Sequence, residues 1–444
     1  MPAVPILFAN RPSDQRGIAA LRQKLSLDPL LMAGIADQNS DGPAAAVRRI
    51  IGEVHKRGDA AVIEFTRQFD GVDFTGRALR VGAEEIARAA AAASPEFVGA
   101  LDVAIANVRR YQEAMLPPAP HDLRPIGGGE TARLAVRYEP LARVGVYVPG
   151  GAGAYPSSVV MTVAPAQAAG VKSIALCSPM RGGAVSPAVL TAAQRLGIDE
   201  IYGIGGAQAI AAMALGTQSI LKVDKIVGPG NSYVQLAKKE LFGVVDIDSF
   251  AGPSEVIVLA DDSASVRMIA AELLAQAEHA PGSCLLITAS EKLAGEVQRE
   301  LDQQIPELGR RDLTLKALQF ASAIIVTQSH ADAIEMVNGF APEHLQITTK
   351  NSRGDAEKIV NAGGIFIGAH TPVAAGDYLA GPSHVLPTSG TARFFSGLSG
   401  ESFRKRISVV EYDSAALAAV AGNIKILATT EGFDAHARSV ASRE

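Results

Sequence analysis

The chain reads as an α/β protein: two adjacent, incomplete Rossmann-like doubly wound units, with an N-terminal helical segment ahead of them and a C-terminal helical tail behind. Two series of short apolar strands, each ending in small or polar residues and feeding a helix, predict the two parallel sheets. Apolar residues near helical spacing ahead of the first series predict helices there.

Residues 1 to about 40 carry only short helical or turn segments. From Gly42, the run GPAAAVRRIIGEVHKRGDAAVIEFTRQFD sets Val47, Ile50, Ile51, Val54 and Ala61 near helical spacing, which predicts an amphipathic helix pair. The glycine-rich, polar stretch HDLRPIGGGETARLAV breaks that pattern. From Val144 the strands VGVYVPG, SIALCSP, EIYGIGG and KIVGPG alternate with helices, and each strand runs into a Gly or Pro turn. A second series follows in SEVIVLADD, SCLLITAS, SAIIVTQS and GGIFIGA. From about Gly397 the chain reads as a helical tail. The expected division is therefore 1–40, then 41–143 together with 252–396, then 144–251 as a separate unit, then 397–444.

With 444 residues, 48% of them hydrophobic, the chain is long enough for two or three domains with sizeable cores. A charged fraction of 20%, a net charge of -5 and no basic run argue against nucleic acid as a partner. The start, MPAVPILFANRPSDQRG, has no basic region ahead of an apolar core and so does not read as a secretion signal. The longest apolar stretch, Val159 to Val171, is about thirteen residues and contains Pro165, too short and broken to span a bilayer. Cys177 and Cys284 each lie in an apolar strand-like run and read as buried structural thiols. These features predict a cytoplasmic globular protein without a membrane partner.

The chemistry-bearing residues cluster in the C-terminal half. Four of the eight histidines fall in short distinctive motifs: His279 in LLAQAEH, His344 in FAPEHLQI, His384 in GPSHVLPT and His436 in EGFDAH. Gln276 and His279 are three apart on an Ala- and Leu-rich stretch that predicts a helix, so both can reach one ion. With Asp377 and His436 they make a mixed nitrogen and oxygen donor set suited to zinc or a similar borderline ion. A lone Gln-x-x-His more often caps or packs, and the weight comes from its distant companions. Glu343 and His344 follow Pro342 at a loop or helix start; such a pair is commonly a solvated first turn, and functionally a carboxylate tuning a proton-shuttling histidine. His384 stands in a loop stiffened by two prolines, while His55, His121, His330 and His370 have no such context. In the first unit, VPGGAGAYPSS, GIGGAQA and VGPGNSY are three Gly-rich strand ends. Singly each is a helix-packing device; together, at the carboxyl ends of neighbouring strands, they suit a nucleotide-type ligand. None matches G-x-G-x-x-G, because Gly151-x-Gly153 is followed by Pro156 and Gly228-Pro229-Gly230 lacks the third glycine.

QAEH, APEH, GDY-x-AGP-x-HVLPT-x-GTARF, GGAQAIAA, KIVGPGN-x-YV-x-x-AK and AGPSE, six motifs in the family's order along the chain, together resemble the L-histidinol dehydrogenase family over nearly the whole chain. The resemblance implies zinc-dependent oxidation of L-histidinol through the aldehyde to L-histidine, with two NAD+ consumed. It implies one zinc per subunit on Gln276, His279, Asp377 and His436, and an acid/base pair in Glu343 and His344. His344 would take the alcohol proton, and Glu343 would activate the water that attacks the aldehyde. Ser254, His384 and Glu431 fall at substrate positions, and Tyr147, Gln208 and Asn231 at NAD positions. It further implies a homodimer whose C-terminal tail reaches the partner's site, so that His436 and Glu431 act in trans, with 144–251 binding NAD and 252–396 the metal and substrate. Three departures stand out: Ser383 where the family usually has Asn, Ala280 where Asp is frequent, and a polar SGESFRKRIS from Ser399. They admit two alternatives, a related zinc- and NAD-dependent dehydrogenase of another small polar alcohol such as a sulfonated diol, and a non-catalytic binding protein with a structural metal. Glu431 favours a cationic substrate over a sulfonate.

Overall fold

The computed structural model describes residues 2–26, 42–117, 123–125, 131–150, 153–279 and 282–444. His121, Gly151 and Ala280, and residues 27–40 of the expected N-terminal segment, lie outside the described residues.

The chain opens with β1 (Ile6–Phe8) and the helix Pro12–Lys24. Helices Pro43–Arg57, Asp59–Asp70, Ala83–Ala91 and Pro95–Ala114 follow. Proline at the first helical position starts Pro43–Arg57 and Pro95–Ala114, and the Ser94 hydroxyl caps the latter by accepting the Phe97 N–H. β2 (Arg133–Pro140) leads to the first sheet: β3 (Arg143–Tyr147), β4 (Ser173–Cys177), β5 (Ile201–Tyr202), β6 (Lys225–Val227) and β7 (Asp246–Ile247). Its order is β5-β4-β3-β6-β7, parallel throughout.

The second sheet holds β8 (Ser254–Ala260), β9 (Gly282–Thr288), β10 (Ala323–Val326), β11 (His344–Thr348) and β12 (Gly364–Ile367), with β1 added at its outer edge. The order β1-β10-β9-β8-β11-β12 repeats the winding of the first sheet, again all parallel. The two doubly wound units expected from the strand-helix rhythm are present. Helices on both faces explain the continuous apolar runs, since β6, β9 and β10 are buried along their whole length.

Three departures from the expected organisation have physical causes. The helices between Pro43 and Ala114 share one core with the first unit, through Val47, Ile50 and Phe65 against Val144 and Ile210, whereas the sequence grouped 41–143 with 252–396. The residues expected only as N-terminal helix contribute β1, which pairs with β10. The tail does not begin as helix: β13 (Arg404–Glu411) pairs antiparallel with β2 in a two-stranded ribbon, and helices Ser414–Thr430 and Asp434–Ala441 follow. The polarity of SGESFRKRIS follows from that ribbon, most of whose β13 residues are exposed.

The connection between the sheets sets the site. β7 ends at Ile247 and β8 begins at Ser254, so 248–253 carry the chain from the carboxyl edge of the first sheet directly to the amino edge of the second. Among the described residues, no single helix is long and apolar enough to cross a membrane.

Candidate active site

The cleft between these two edges is a cavity of about 580 Å³, walled on one side by Gly153, Tyr155 and Ser157 beyond β3. Gln276, His279 and Asp377 wall the other side. Gln276 occupies the last turn of the helix Val266–Ala277 and is buried; His279 lies in the turn just past its end and is exposed. Glu278 borders the same cavity. Asp377 comes from the short helix Val373–Tyr378.

His344 is the first residue of β11 rather than part of a loop or helix start. The strand HLQIT leaves little pattern in the sequence, being five residues long, close behind Pro342 and centred on a buried Gln346. β11 pairs with β8 at the point where the strand order reverses, which brings Ser254 and Glu343 together. The Gln276 amide Nε2 donates to the Ser254 hydroxyl at 2.7 Å, and that hydroxyl donates to Glu343 Oε2 at 2.7 Å. Glu343 Oε2 also accepts the Glu255 N–H at 3.0 Å and stands 3.4 Å from His344 Nδ1.

Tautomers follow from the partners. His344 Nδ1 lies 3.2 Å from the Glu255 carbonyl oxygen, which only accepts, so Nδ1 carries the hydrogen. Nε2 is then the basic nitrogen in the neutral ring; it is buried, has no hydrogen-bond partner and faces Asp377 Oδ1 at 3.5 Å. His384 is fixed the same way, with Nδ1 2.9 Å from the Asp377 carbonyl oxygen and Nε2 3.3 Å from the Ser158 hydroxyl.

Burial raises the Glu343 pKa, partly offset by His344 and by the Ser254 hydrogen bond. Burial works against the His344 cation, but the Glu343 and Asp377 charges prevail and push its pKa up to about 9. Burial lowers the His384 pKa, while contact with His344 holds Asp377 below the usual carboxylate range against its own burial.

The donors fit a cation in kind: an amide, an imidazole and a carboxylate border one cavity, and Gln276 Oε1 accepts no hydrogen bond among the described residues. No group of three or more His, Cys, Asp or Glu side chains forms a metal cluster among those residues. The structure does not bring His436 or Glu431 to this cavity: both are exposed in the tail, where the His436 ring lies 5.2 Å from that of Phe433.

On the first unit, Tyr147 ends β3, and its hydroxyl accepts the Gly206 N–H at 3.2 Å. Gln208 is buried in the helix Gly206–Leu215, and its Nε2 has no partner, an orphaned donor of the kind a bound ligand satisfies. Asn231 caps the helix Ser232–Leu241, its Oδ1 accepting the Tyr233 and Val234 N–H groups. Gly228, at φ +115, begins the turn after β6, where a Cβ would collide with the Tyr147 carbonyl. Lys238 and Asp248, both buried, hold this turn from either side: Lys238 Nζ donates to the Gly228 carbonyl at 2.6 Å, and Asp248 Oδ2 accepts the Gly228 N–H at 2.7 Å.

Two residues outside the expected set join the site, Glu255 beside Glu343 and Ser158 beside His384. A charged residue at the second position of an otherwise apolar strand, SEVIVLA, was the signal for Glu255. Ser383 does not line the cavity; its hydroxyl donates to the Met161 carbonyl at 2.8 Å and accepts the Val385 N–H.

The family model for histidinol dehydrogenase matches residues 35–444. A histidinol dehydrogenase of Rhodopirellula baltica is 46% identical over 434 residues, covering 96% of this chain and 94% of the relative. One from Bacillus licheniformis is 47% identical over 409 residues, with 92% and 95% covered. The crystal structure of histidinol dehydrogenase from Elizabethkingia anophelis superposes with a TM-score of 0.90 at 32% identity, covering 100% of this chain and 98% of that one.

Proposed function

The chain belongs to the histidinol dehydrogenase family, and from that premise we propose that it oxidises L-histidinol through L-histidinal to L-histidine, with two NAD+ reduced per turnover. The observation that carries the reading is the Glu343–His344 pair at the mouth of β8 and β11, with an unpartnered imidazole nitrogen facing Asp377. His344 Nε2 takes the hydroxyl proton of the substrate, since Nδ1 is committed to the Glu255 carbonyl. Glu343 takes a proton from the water that adds to the aldehyde, and the Ser254 hydroxyl and Glu255 N–H fix the carboxylate that does so.

Gln276, His279 and Asp377, joined by a His436 reaching over from a second copy of the chain, would hold zinc, and the ion would supply a fixed positive charge for orienting the imidazole and amine of the substrate. NAD+ supplies the hydride acceptor, and Tyr147, Gln208 and Asn231 around the three Gly-rich turns would hold it. The residues 144–251 thus serve NAD, and 252–396 the metal and substrate. Shared sites in a homodimer are supported by the tail, whose Ile426, Leu427 and Phe433 are exposed apolar side chains and whose Glu431 and His436 lie away from the cavity of their own chain. Two buried, unbridged cysteines support a reducing, cytoplasmic setting.

The test is NADH formation by the zinc-loaded protein with L-histidinol, counted per histidine produced. Two NADH per histidine is the expected result. No turnover in a folded, metal-replete sample would overturn the proposal and point to a different polar alcohol.

A further inference from the structure

Glu255 touches both members of the proposed acid/base pair without belonging to it. It is 4% exposed and follows Ser254 in β8. Its N–H donates to Glu343 Oε2 at 3.0 Å, and its carbonyl takes the His344 Nδ1 hydrogen at 3.2 Å. Its own carboxyl Oε1 accepts the Glu343 N–H at 3.3 Å and the Ser389 N–H at 3.0 Å. Strand β8, the start of β11 and the loop that follows His384 are thereby tied at a single side chain.

The other carboxyl oxygen has a different setting. Glu255 Oε2 is buried without a hydrogen-bond partner, and so is the hydroxyl of Ser283, its register partner on β9. Both residues line a small cavity of about 10 Å³ whose remaining walls, including Ile257, Leu285 and Phe340, are apolar. That is room for about one water molecule between two orphaned polar atoms.

We propose that Glu255 is the positioning residue of the Glu343–His344 pair and works as a neutral carboxylic acid, its proton lodged on Oε2 toward Ser283 and the small cavity. The geometry points to Glu255 as the neutral member, because Glu343 Oε2 accepts two hydrogen bonds while Glu255 Oε2 accepts none. Two ionised carboxyls joined through each other's backbone N–H groups and shut away from water would repel strongly, with only His344 and, beyond it, Asp377 as charged neighbours. Burial, followed by the Glu343 charge, pushes the Glu255 pKa up to about 8, which accords with a held proton. With Oε2 protonated, the acid donates into the cavity while Oε1 keeps its two backbone hydrogen bonds, and Glu343 retains the negative charge that its proposed role demands.

The inference rests on Glu343 and His344 being the acid/base pair, so wild-type turnover is measured first and one arm of the test does not depend on turnover. Glutamine is the neutral isostere: its oxygen accepts the same N–H groups and its amide donates toward Ser283. Glu255→Gln is expected to keep kcat for histidinol and histidinal within roughly three-fold, whereas Glu255→Ala lowers both by roughly 10²-fold with little change in KM, as misplaced catalytic groups do. A Gln variant as impaired as the Ala variant would show that an ionised carboxylate is needed and overturn the proposal. Full activity of Glu255→Ala would overturn the positioning role. Infrared difference spectra of wild type against Glu255→Gln at neutral pH form the independent arm, readable even where the Ala variant fails to fold. A protonated-carboxyl stretch that vanishes in the variant supports the held proton, and its absence in wild type overturns it.

Discussion

Glu343 and His344 adjoin in sequence yet are held through different groups: the carboxylate by the Ser254 hydroxyl and the Glu255 N–H, the imidazole by the Glu255 carbonyl. Replacing the carboxylate by an amide leaves the His344 tautomer intact, so the two oxidations should separate. Glu343→Gln is expected to lower histidinal oxidation by roughly 10²- to 10⁴-fold while histidinol oxidation falls far less, measured with each substrate alone. Equal losses would remove the water-activating role. Glu255 and His344 together predict how stability responds to pH in chelator-treated protein. The folded-state pKa of Glu255, about 8, lies above its ordinary 4.5, so its proton favours the fold and stability declines as pH rises from 4.5 to 8. His344, raised to about 9 from 6.5, adds stability that is complete below 6.5 and lost as pH rises through 9. The fall in Tm between pH 5 and 8 should therefore be shallower in Glu255→Gln than in wild type, Glu343 and His344 contributing what remains; parallel curves would count against the Glu255 shift. Single residues were legible where motif and chemistry coincided, as at Gln276, His344 and Asp377. Glu255 was not, because nothing in SEVIVLA says which way a strand glutamate faces until β8 is paired with β9 and β11.

At the scale of elements, the turn after β6 borders the proposed NAD site and also bears on ordinary stability. Gly228 is held from both sides by a buried ion pair, Lys238 fully enclosed and Asp248 nearly so. Removing one partner leaves the other charge buried, which costs about 3 kcal/mol or more. Lys238→Met is therefore expected to destabilise the protein by about that amount in urea unfolding and to raise KM for NAD+ more than KM for histidinol. A variant with unchanged stability and kinetics would show that the clamp is idle. Strands ending in Gly or Pro were readable along the sequence because an apolar run followed by a turn leaves a local pattern. β11 and the ribbon strands were not: a five-residue strand with glutamine at its centre and two half-exposed partners far apart in the chain leave none.

For the whole molecule, the repeated winding was visible in the rhythm of the sequence, but the packing partner of the helices between Pro43 and Ala114 was not, since amphipathic spacing says that a face is buried and not against what. Shared sites remain a matter for mixing: dimers of one His436→Ala chain and one Glu343→Gln chain should recover up to about half of the wild-type activity per site pair, because one site then draws every residue from an intact source. Verified mixed dimers without recovery would place His436 outside the partner's site. The ribbon adds a practical consequence for such work. β13 covers β2 along its full length, Arg404 opposite Pro140 through Glu411 opposite Arg133. A chain cut back before β13 would lose more than the proposed metal donor His436: it would expose an edge strand ready to pair with other molecules. Deletions of the C-terminus will therefore report first on aggregation, and only point substitutions beyond Glu411 can report cleanly on chemistry.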